Sequence, residues 1–184
     1  LESVSAVEVA IEEPTASPKA TVLELRDFTF HGTTEHSVRF ANISLTLCEG
    51  ELAVIHLDPG FKTREFTSVL QGLTEPSNGT VHFQEHDWLG TDYAQHFAMR
   101  SRIGRVFEGH AWVANLNVSE NVMLPSVHHG RSIGSEARQW AQRFGLKQVS
   151  PKRPAFLEPS QLQLHQWIRA FMCHPALLLL ERPM

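Results

Sequence analysis

The 184-residue sequence has two cysteines, one tyrosine and no long apolar run, and each scarcity excludes something. Cys48 and Cys173 stand apart without CxxC spacing, so neither a disulfide framework nor a zinc ribbon is supported, and a reducing compartment is the simpler reading. The longest run of large aliphatic residues, Leu177 to Leu180, falls far short of the ~20 residues a membrane-spanning helix needs. The first residue is Leu1, and no basic segment leads into an apolar stretch. No export signal is visible, and the true start is expected to have been removed. An excess of charge of one sign is missing too. The formal net charge is -4; residues 1–20 carry four acids against Lys19, and the remainder is close to neutral with 15 bases and 16 acids. Without a basic face to displace counterions, nucleic acid is not an expected partner. The eleven histidines are scattered, no HExxH pair occurs, and the adjacent His128 and His129 would project differently, so no metal site is expected.

What is present is an ordinary globular composition, 42% hydrophobic and 20% charged, enough for one domain with a core. Residues 1–20, rich in Glu, Ala, Ser and Thr with Pro14 and Pro18, read as a flexible acidic tail. From Val22 the pattern changes. Leu23 and Leu25, then Ile43, Leu45 and Leu47, alternate with polar residues as half-buried strands do. The continuous run Leu52 to Ile55 predicts a central strand covered on both faces, followed by the loop Asp58–Pro59–Gly60. Phe66, Val69, Leu70 and Leu73 then lie on one helical face, and strand, glycine-containing loop and helix in that order is an arrangement that binds phosphate.

Further on, Thr80 to Phe83 and Ile103 to Phe107 read as strands, with a helix between them starting near Asp92 and capped by Thr91. Ser135, Ala137, Trp140, Ala141, Phe144 and Gly145 spell a helix from cap to stop, and Leu164, Trp167, Ile168, Phe171 and Met172 repeat the apolar stripe up to His174–Pro175. Leu177 to Leu180 predicts a second fully buried strand. The whole predicts an α/β fold around a mixed or mostly parallel sheet.

Three blocks in this order carry a family resemblance: LCEGELAVIHLDPGFKTREFTSVLQGLTEPSNGTVHF, IGRVFEGHAWVANLNVSENVMLP and LEPSQLQLHQWIRAFMCHPALLLLERPM. From about Val22 to Met184 the sequence resembles the ATP-binding domain of ABC transporters, whose Walker A loop, Q-loop, signature and Walker B fall in those blocks. The resemblance implies a P-loop NTPase-like domain over residues 21–184, with a helical subdomain roughly at 110–170 and with the family's C-terminal part, after Walker B, lacking.

The resemblance also locates the chemistry and finds it altered. The family's Walker A pattern G-x-x-G-x-G-K-[ST] relies on glycines that turn N–H groups inward and on a lysine that neutralises phosphate. The ungapped alignment places Leu57, Gly60, Lys62, Thr63 and Arg64 at those positions, and Gly60 alone matches. A one-residue shift recovers Lys62–Thr63 as a Lys-Thr pair but puts His56 and Phe61 at both glycine positions. Glu108 replaces the Q-loop glutamine, and the signature LSGGQ reads Leu157, Glu158, Pro159, Ser160, Gln161. Glu158 would set a carboxylate against phosphate oxygens, and Pro159 removes a backbone donor. At Walker B, Glu181 stands for the magnesium-binding Asp, and Arg182 for the catalytic Glu; an arginine stays protonated and cannot serve as a base. His31 is the only ring near the place of the adenine-stacking aromatic.

Fold-determining residues are kept and chemistry-determining ones are lost. The resemblance therefore implies a catalytically degenerate ABC-type subunit, with no catalytic residue, no metal and no cofactor. It would partner an ABC membrane subunit, a competent ATPase subunit or both, on the cytoplasmic face of the membrane, touching the bilayer only indirectly. Two alternatives stand beside it: an unusual ATPase taking ATP and magnesium through Gly60, Lys62, Thr63 and Arg64, with Glu181 as metal ligand, and a soluble interaction module outside transport. Lys62 and Arg64 also read as solvated surface bases, and Glu108 and Glu181 either hold a metal jointly or are remnants, each solvated or paired with Arg182 or another base. The Trp112, Val113, Leu116, Val118 segment reads equally as core and as partner interface, while Trp140 and Trp167 are assigned to the core.

Overall fold

The computed structural model describes residues 9–10, 19–33, 37–57, 60–109, 111–131 and 135–182. They fall into two compact units, residues 1–96 and 97–184.

The first unit contains β1 (Val9–Ala10), β2 (Thr21–His31), β3 (Arg39–Cys48), β4 (Val54–Ile55), α1 (Arg64–Leu70), β5 (Asn78–Phe83), β6 (His86–Asp87) and the start of α2 (Tyr93–Arg100). An antiparallel sheet runs in the order β3-β2-β5-β6. In β2, Leu23 and Leu25 face the core at odd positions, whereas Phe28 and Phe30 do so at even ones. A register shift between Leu25 and Phe28 accounts for this change of parity. Asp27 sits inside it with φ +48°, and its N–H donates to Ser44 Oγ at 3.2 Å. The rings of Phe28, Phe30 and Phe40 gather with Phe66 of α1 at centroid separations of 4.5–6.4 Å, so α1 is seated on the sheet by aromatic contact.

Three sequence expectations change here. The run Leu52 to Ile55 gives only the two-residue β4, paired antiparallel with Val9–Ala10; Leu52 is 68% exposed and Val54 39%. An apolar run states which residues can be buried, and among the described residues β1 is the single strand beside this one. Of the predicted tail, residues 1–8 and 11–18 lie outside the described residues. The helix predicted through Leu73 ends at Leu70, where Gly72 and Leu73 N–H groups donate back to Val69 and Ser68 carbonyls, and Leu73 is left exposed. The cap of α2 is Asp92, whose Oδ1 accepts from Gln95 N–H at 2.8 Å, while the Thr91 hydroxyl turns to the Trp88 carbonyl.

The second unit comprises β7 (Ile103–Val106), α3 (Val118–His128), α4 (Glu136–Arg143), a 3-10 turn (Pro154–Phe156), α5 (Pro159–Phe171) and β8 (Leu177–Leu180). β7 and β8 pair in parallel, Ile103 opposite Leu177 through Val106 opposite Leu180. α5 passes so near β7 that a Cβ on Gly104 would lie 2.7 Å from the Ala170 carbonyl oxygen, which is why a glycine stands there. β8 is not fully buried as expected: Leu177 and Leu179 are buried, and Leu180 is 38% exposed.

Val118, Val122, Ala137, Ala141, Leu162, Ile168 and Met172 form the helical core, with Trp112, Trp140, Phe144, Leu146, Val149 and Leu157 packed against it. Trp140 stacks on Phe171 at 4.3 Å, and Trp167 stacks on the same ring at 6.2 Å. α3 starts with a capping box, Asn117 and Glu120 bonding reciprocally to each other's N–H groups. Val118 is fully buried and Val113 is 42% exposed, so the Trp112 to Val118 segment contributes to the core at one end and to the surface at the other. His128 and His129, expected to diverge, both lie against Phe97, at 5.1 and 4.3 Å between ring centroids.

His165 is 2% exposed and belongs to this core as a neutral ring: Nδ1 donates to the Gln161 carbonyl at 2.6 Å, and Nε2 accepts from Ser150 N–H at 3.1 Å. Burial pushes its pKa below the ordinary value, as it does for His129. In the unfolded chain both take up protons at a higher pH than in the folded one. Stability is therefore full above about pH 6.5 and falls as the pH drops below it, by at most about 1.4 kcal/mol per pH unit for each such histidine. Urea titrations between pH 7.5 and 5 are expected to show this decline, and His165→Gln is expected to flatten it.

Candidate functional site

The residues assigned to Walker B and the Q-loop lie in the second unit. Glu181, directly after β8, is 3% exposed, and Arg105 of β7 is 6% exposed. The Arg105 Nε donates to Glu181 Oε1 at 2.5 Å, and its Nη2 pairs with the same oxygen. The second carboxylate oxygen, Oε2, accepts the Glu108 N–H at 3.4 Å. The parallel register explains the meeting, since Arg105 and Glu181 stand at neighbouring ends of paired strands whose remaining residues are apolar. Arg105 also lies over the Phe107 ring at 4.5 Å.

A second ion pair sits beside the first. Arg182 Nη1 donates to Glu108 Oε1 at 2.8 Å, with both side chains about two-fifths exposed. The four residues thus form two charge-matched pairs, one buried and one at the surface. Of the options the sequence left open, the carboxylates are paired with bases, Glu108 with Arg182 and Glu181 with Arg105. Among the described residues no three His, Cys, Asp or Glu side chains cluster as a metal site would require.

The segment after β7 is tied to α5. Gln166, 2% exposed, accepts Phe107 N–H through Oε1 at 2.9 Å and donates from Nε2 to the Gly109 carbonyl at 3.1 Å. One turn on, Arg169 Nη1 donates to the Ala111 carbonyl at 2.5 Å, and its guanidinium lies over Phe107 and Trp112 at 5.4 and 4.8 Å. Its burial brings the guanidinium pKa down to about 10.

The signature-equivalent residues open α5. Leu157 packs against the helical core, while Glu158, Pro159, Ser160 and Gln161 are exposed. Glu158 is the N-cap in extended conformation without a side-chain cap bond, and Pro159 occupies the first helical position. There the missing N–H costs nothing, because the first amides of a helix have no carbonyl partner within it.

The Walker A-equivalent segment lies in the first unit. Gly60 has φ +98° with open space where a Cβ would project, and Asp58 and Pro59 are outside the described residues. Lys62 and Arg64 are exposed, and Lys62 bridges in parallel to Ser37 through the backbone. Thr63 is the N-cap of α1 yet makes no side-chain cap bond, and its Oγ1 is buried without a hydrogen-bond partner. Glu65, in the first turn, accepts from Thr33 N–H at 3.0 Å, Thr33 Oγ1 at 2.5 Å and Ser37 Oγ at 2.7 Å. The Thr33 hydroxyl first, then the Ser37 hydroxyl and the Thr33 N–H, with the Lys62 charge, hold its pKa below the usual carboxylate value.

Arg105, Glu65, Gln166 and Arg169 were not among the residues the sequence singled out. A lone arginine in Ile103–Gly104–Arg105–Val106 reads as the solvent side of a strand, and each of these four finds its partners tens of residues away.

Residues 40–184 match the model of a family described as ABC transporter. The chain is 29% identical over 176 residues to the pyoverdine export ATP-binding/permease protein PvdT of Pseudomonas aeruginosa, covering 91% of this chain and 26% of that protein. It is 28% identical over 158 residues to the lipoprotein-releasing system ATP-binding protein LolD of Oleidesulfovibrio alaskensis, covering 84% of this chain and 68% of LolD. It thus spans a minor part of PvdT and much of LolD. Among solved structures it resembles an ATP-binding subunit of an ABC transporter, with a TM-score of 0.71 at 18% identity over 89% of this chain and 67% of the other. The ATP-binding cassette MJ0796 bound to ADP and Pi gives a TM-score of 0.69 at 22% identity, covering 88% and 74%. At these identities the structural likeness speaks for the fold, an α/β P-loop architecture of the ABC ATPase type. The family match over residues 40–184 goes further: this chain belongs to the ABC transporter family, as an ATP-binding-type domain.

Proposed function

We propose that this domain is catalytically degenerate and has a structural or regulatory role in a transporter assembly, on the cytoplasmic face, beside a membrane subunit, an intact ATPase subunit or both. The observation that supports this most is the buried Arg105–Glu181 pair. A carboxylate at the Walker B metal position has value only if its charge is available to the metal, and this one is matched by a guanidinium in a dry setting. Arg182, in place of the base, is itself engaged by Glu108 from the Q-loop position.

The residues present do not fit a magnesium nucleotide. Glu181 is already paired with Arg105, the Thr63 hydroxyl is buried, and the first turn of α1 carries a carboxylate, Glu65, next to Arg64, where a phosphate site needs amides and cations alone. The alternative of a shifted Lys62–Thr63 loop would need that same Thr63 hydroxyl to face a metal. No step through ATP is derived.

No helix among the described residues is long and apolar enough to cross a membrane. LolD and PvdT are named for lipoprotein release and pyoverdine export, and their names carry the transport context, not a substrate for this chain.

Thermal unfolding with and without magnesium ATP tests the reading. Ligand at a hundred times its Kd would add about 2.7 kcal/mol to the stability of a binding protein. The expected result is an unfolding temperature that does not move at millimolar nucleotide. A clear rise that Lys62→Ala abolishes would overturn the proposal in favour of the nucleotide-binding alternative. Recovery of no membrane protein in pull-downs from solubilised membranes would favour the soluble module instead.

A further inference from the structure

We propose that Glu65 is a built-in latch that ties the loop after β2 to the start of α1, so that the chain's own carboxylate takes up the hydrogen-bond donors there. This rests on the family reading, which places the adenine by His31 and Gly32 and the phosphates by Lys62, Thr63 and Arg64.

Three donors from the loop after β2 converge on one carboxylate at the start of α1: the Thr33 N–H, the Thr33 hydroxyl and the Ser37 hydroxyl, all within 3.0 Å. Ser37 is 1% exposed, and its backbone bridges to Lys62. Side chain and backbone thus hold the same two stretches together, at Glu65 and, three residues earlier, at Lys62. The approach is close enough to dictate a residue. A Cβ on Gly32 would lie 1.9 Å from Ser37 Cβ and 2.8 Å from Glu65 Oε2, so position 32 has room for hydrogen alone.

The consequence is chemical as well as steric. An incoming phosphate would bring its oxygens to a place where a carboxylate already accepts the available hydrogen bonds, and like charges at contact distance repel. The Lys62 charge already acts on Glu65. Releasing the carboxylate would therefore free donors and a cation together. The latch makes the loss of phosphate binding a property of one added side chain, over and above the glycines and lysine that the segment lacks.

Hydrogen exchange of the intact chain provides the test. In Glu65→Leu and Glu65→Ala, which remove every acceptor, the Thr33 amide is expected to exchange at least ten-fold faster, while amides of the β2–β5 ladder such as Val81 keep their protection. Gly32→Ala, which leaves every latch donor and the carboxylate in the sequence, is expected to speed Thr33 exchange as well. In the unaltered chain, pyrophosphate up to 5 mM is expected to leave Thr33 protection and the unfolding temperature unchanged. An unchanged Thr33 exchange rate in the Glu65 variants would overturn the latch, and so would pyrophosphate uptake by the unaltered chain with Thr33 still protected. Should the Glu65 variants fail to fold, Thr33→Ser and Thr33→Ala decide through the unfolding temperature: the latch requires the hydroxyl-bearing variant to be the more stable. None of these readouts involves ATP turnover, so the latch and the proposed degeneracy can fail separately.

Discussion

Truncating either member of the Arg105–Glu181 pair is expected to destabilise the chain by about 3–5 kcal/mol, because each change strands a charge that the fold has already removed from water. The side chains are 4% and 2% exposed, so solvent cannot compensate the survivor without local unfolding. Arg105→Met and Glu181→Leu should each show this loss in urea titrations. The double variant should recover most of it, since an apolar pair of similar volume relieves the desolvation cost together with the attraction. Additive losses in the double variant would mean that the two residues act independently and that the pair is not what neutralises Glu181. The same cycle bears on function, because a Glu181 whose charge is absorbed by Arg105 is a structural group at a position where the family resemblance expects a metal ligand.

Gln166→Leu is expected to cost about 2–3 kcal/mol, the larger part of it local. Its amide serves the Phe107 N–H and the Gly109 carbonyl on either side of Glu108, and removing it leaves two backbone groups to find water. Exchange of the Phe107 amide should accelerate at least ten-fold, with amides of the β7–β8 pair changing less. Gln166→Glu keeps the acceptor and loses the donor, so it should preserve Phe107 protection. If Phe107 exchange is unaffected by Gln166→Leu, the segment after β7 is held by Arg169 and its stacking on Phe107 and Trp112, not by Gln166.

Much of the scaffold was legible because it is written in local periodicity. The stripe Ala137, Trp140, Ala141 with Gly145 marks α4 from cap to stop, and the alternation at Leu23 and Leu25 marks the start of β2. Local pattern failed where tertiary partners decide. Leu52 to Ile55 looks like a central strand, yet it pairs with two residues of a stretch whose composition suggests no structure, and Leu52 ends at the surface. Asp27 switches the buried face of β2 through a backbone conformation that an aspartate tolerates but does not announce.

The candidate site divides in the same way. Family alignment placed Glu108, Glu181 and Arg182 and named Arg182 as one partner for the carboxylates, beside the option of a shared metal; Arg182 does pair with Glu108. It did not reveal Arg105 or Thr33 as partners, because Arg105 reaches Glu181 through strand register 76 positions away and Glu65 reaches Thr33 from 32 positions on. Single-sequence reading sees which charges are present; the fold decides which of them are spent on each other.

The proposed degeneracy requires that this ABC-family domain not turn over ATP. The most direct measurement is magnesium-dependent phosphate release by the purified chain at millimolar ATP, compared with Glu181→Ala, Lys62→Ala and a reaction without protein. The account predicts release at the protein-free rate for all three proteins. Release above that rate that falls in Glu181→Ala or Lys62→Ala variants shown to be folded would contradict it.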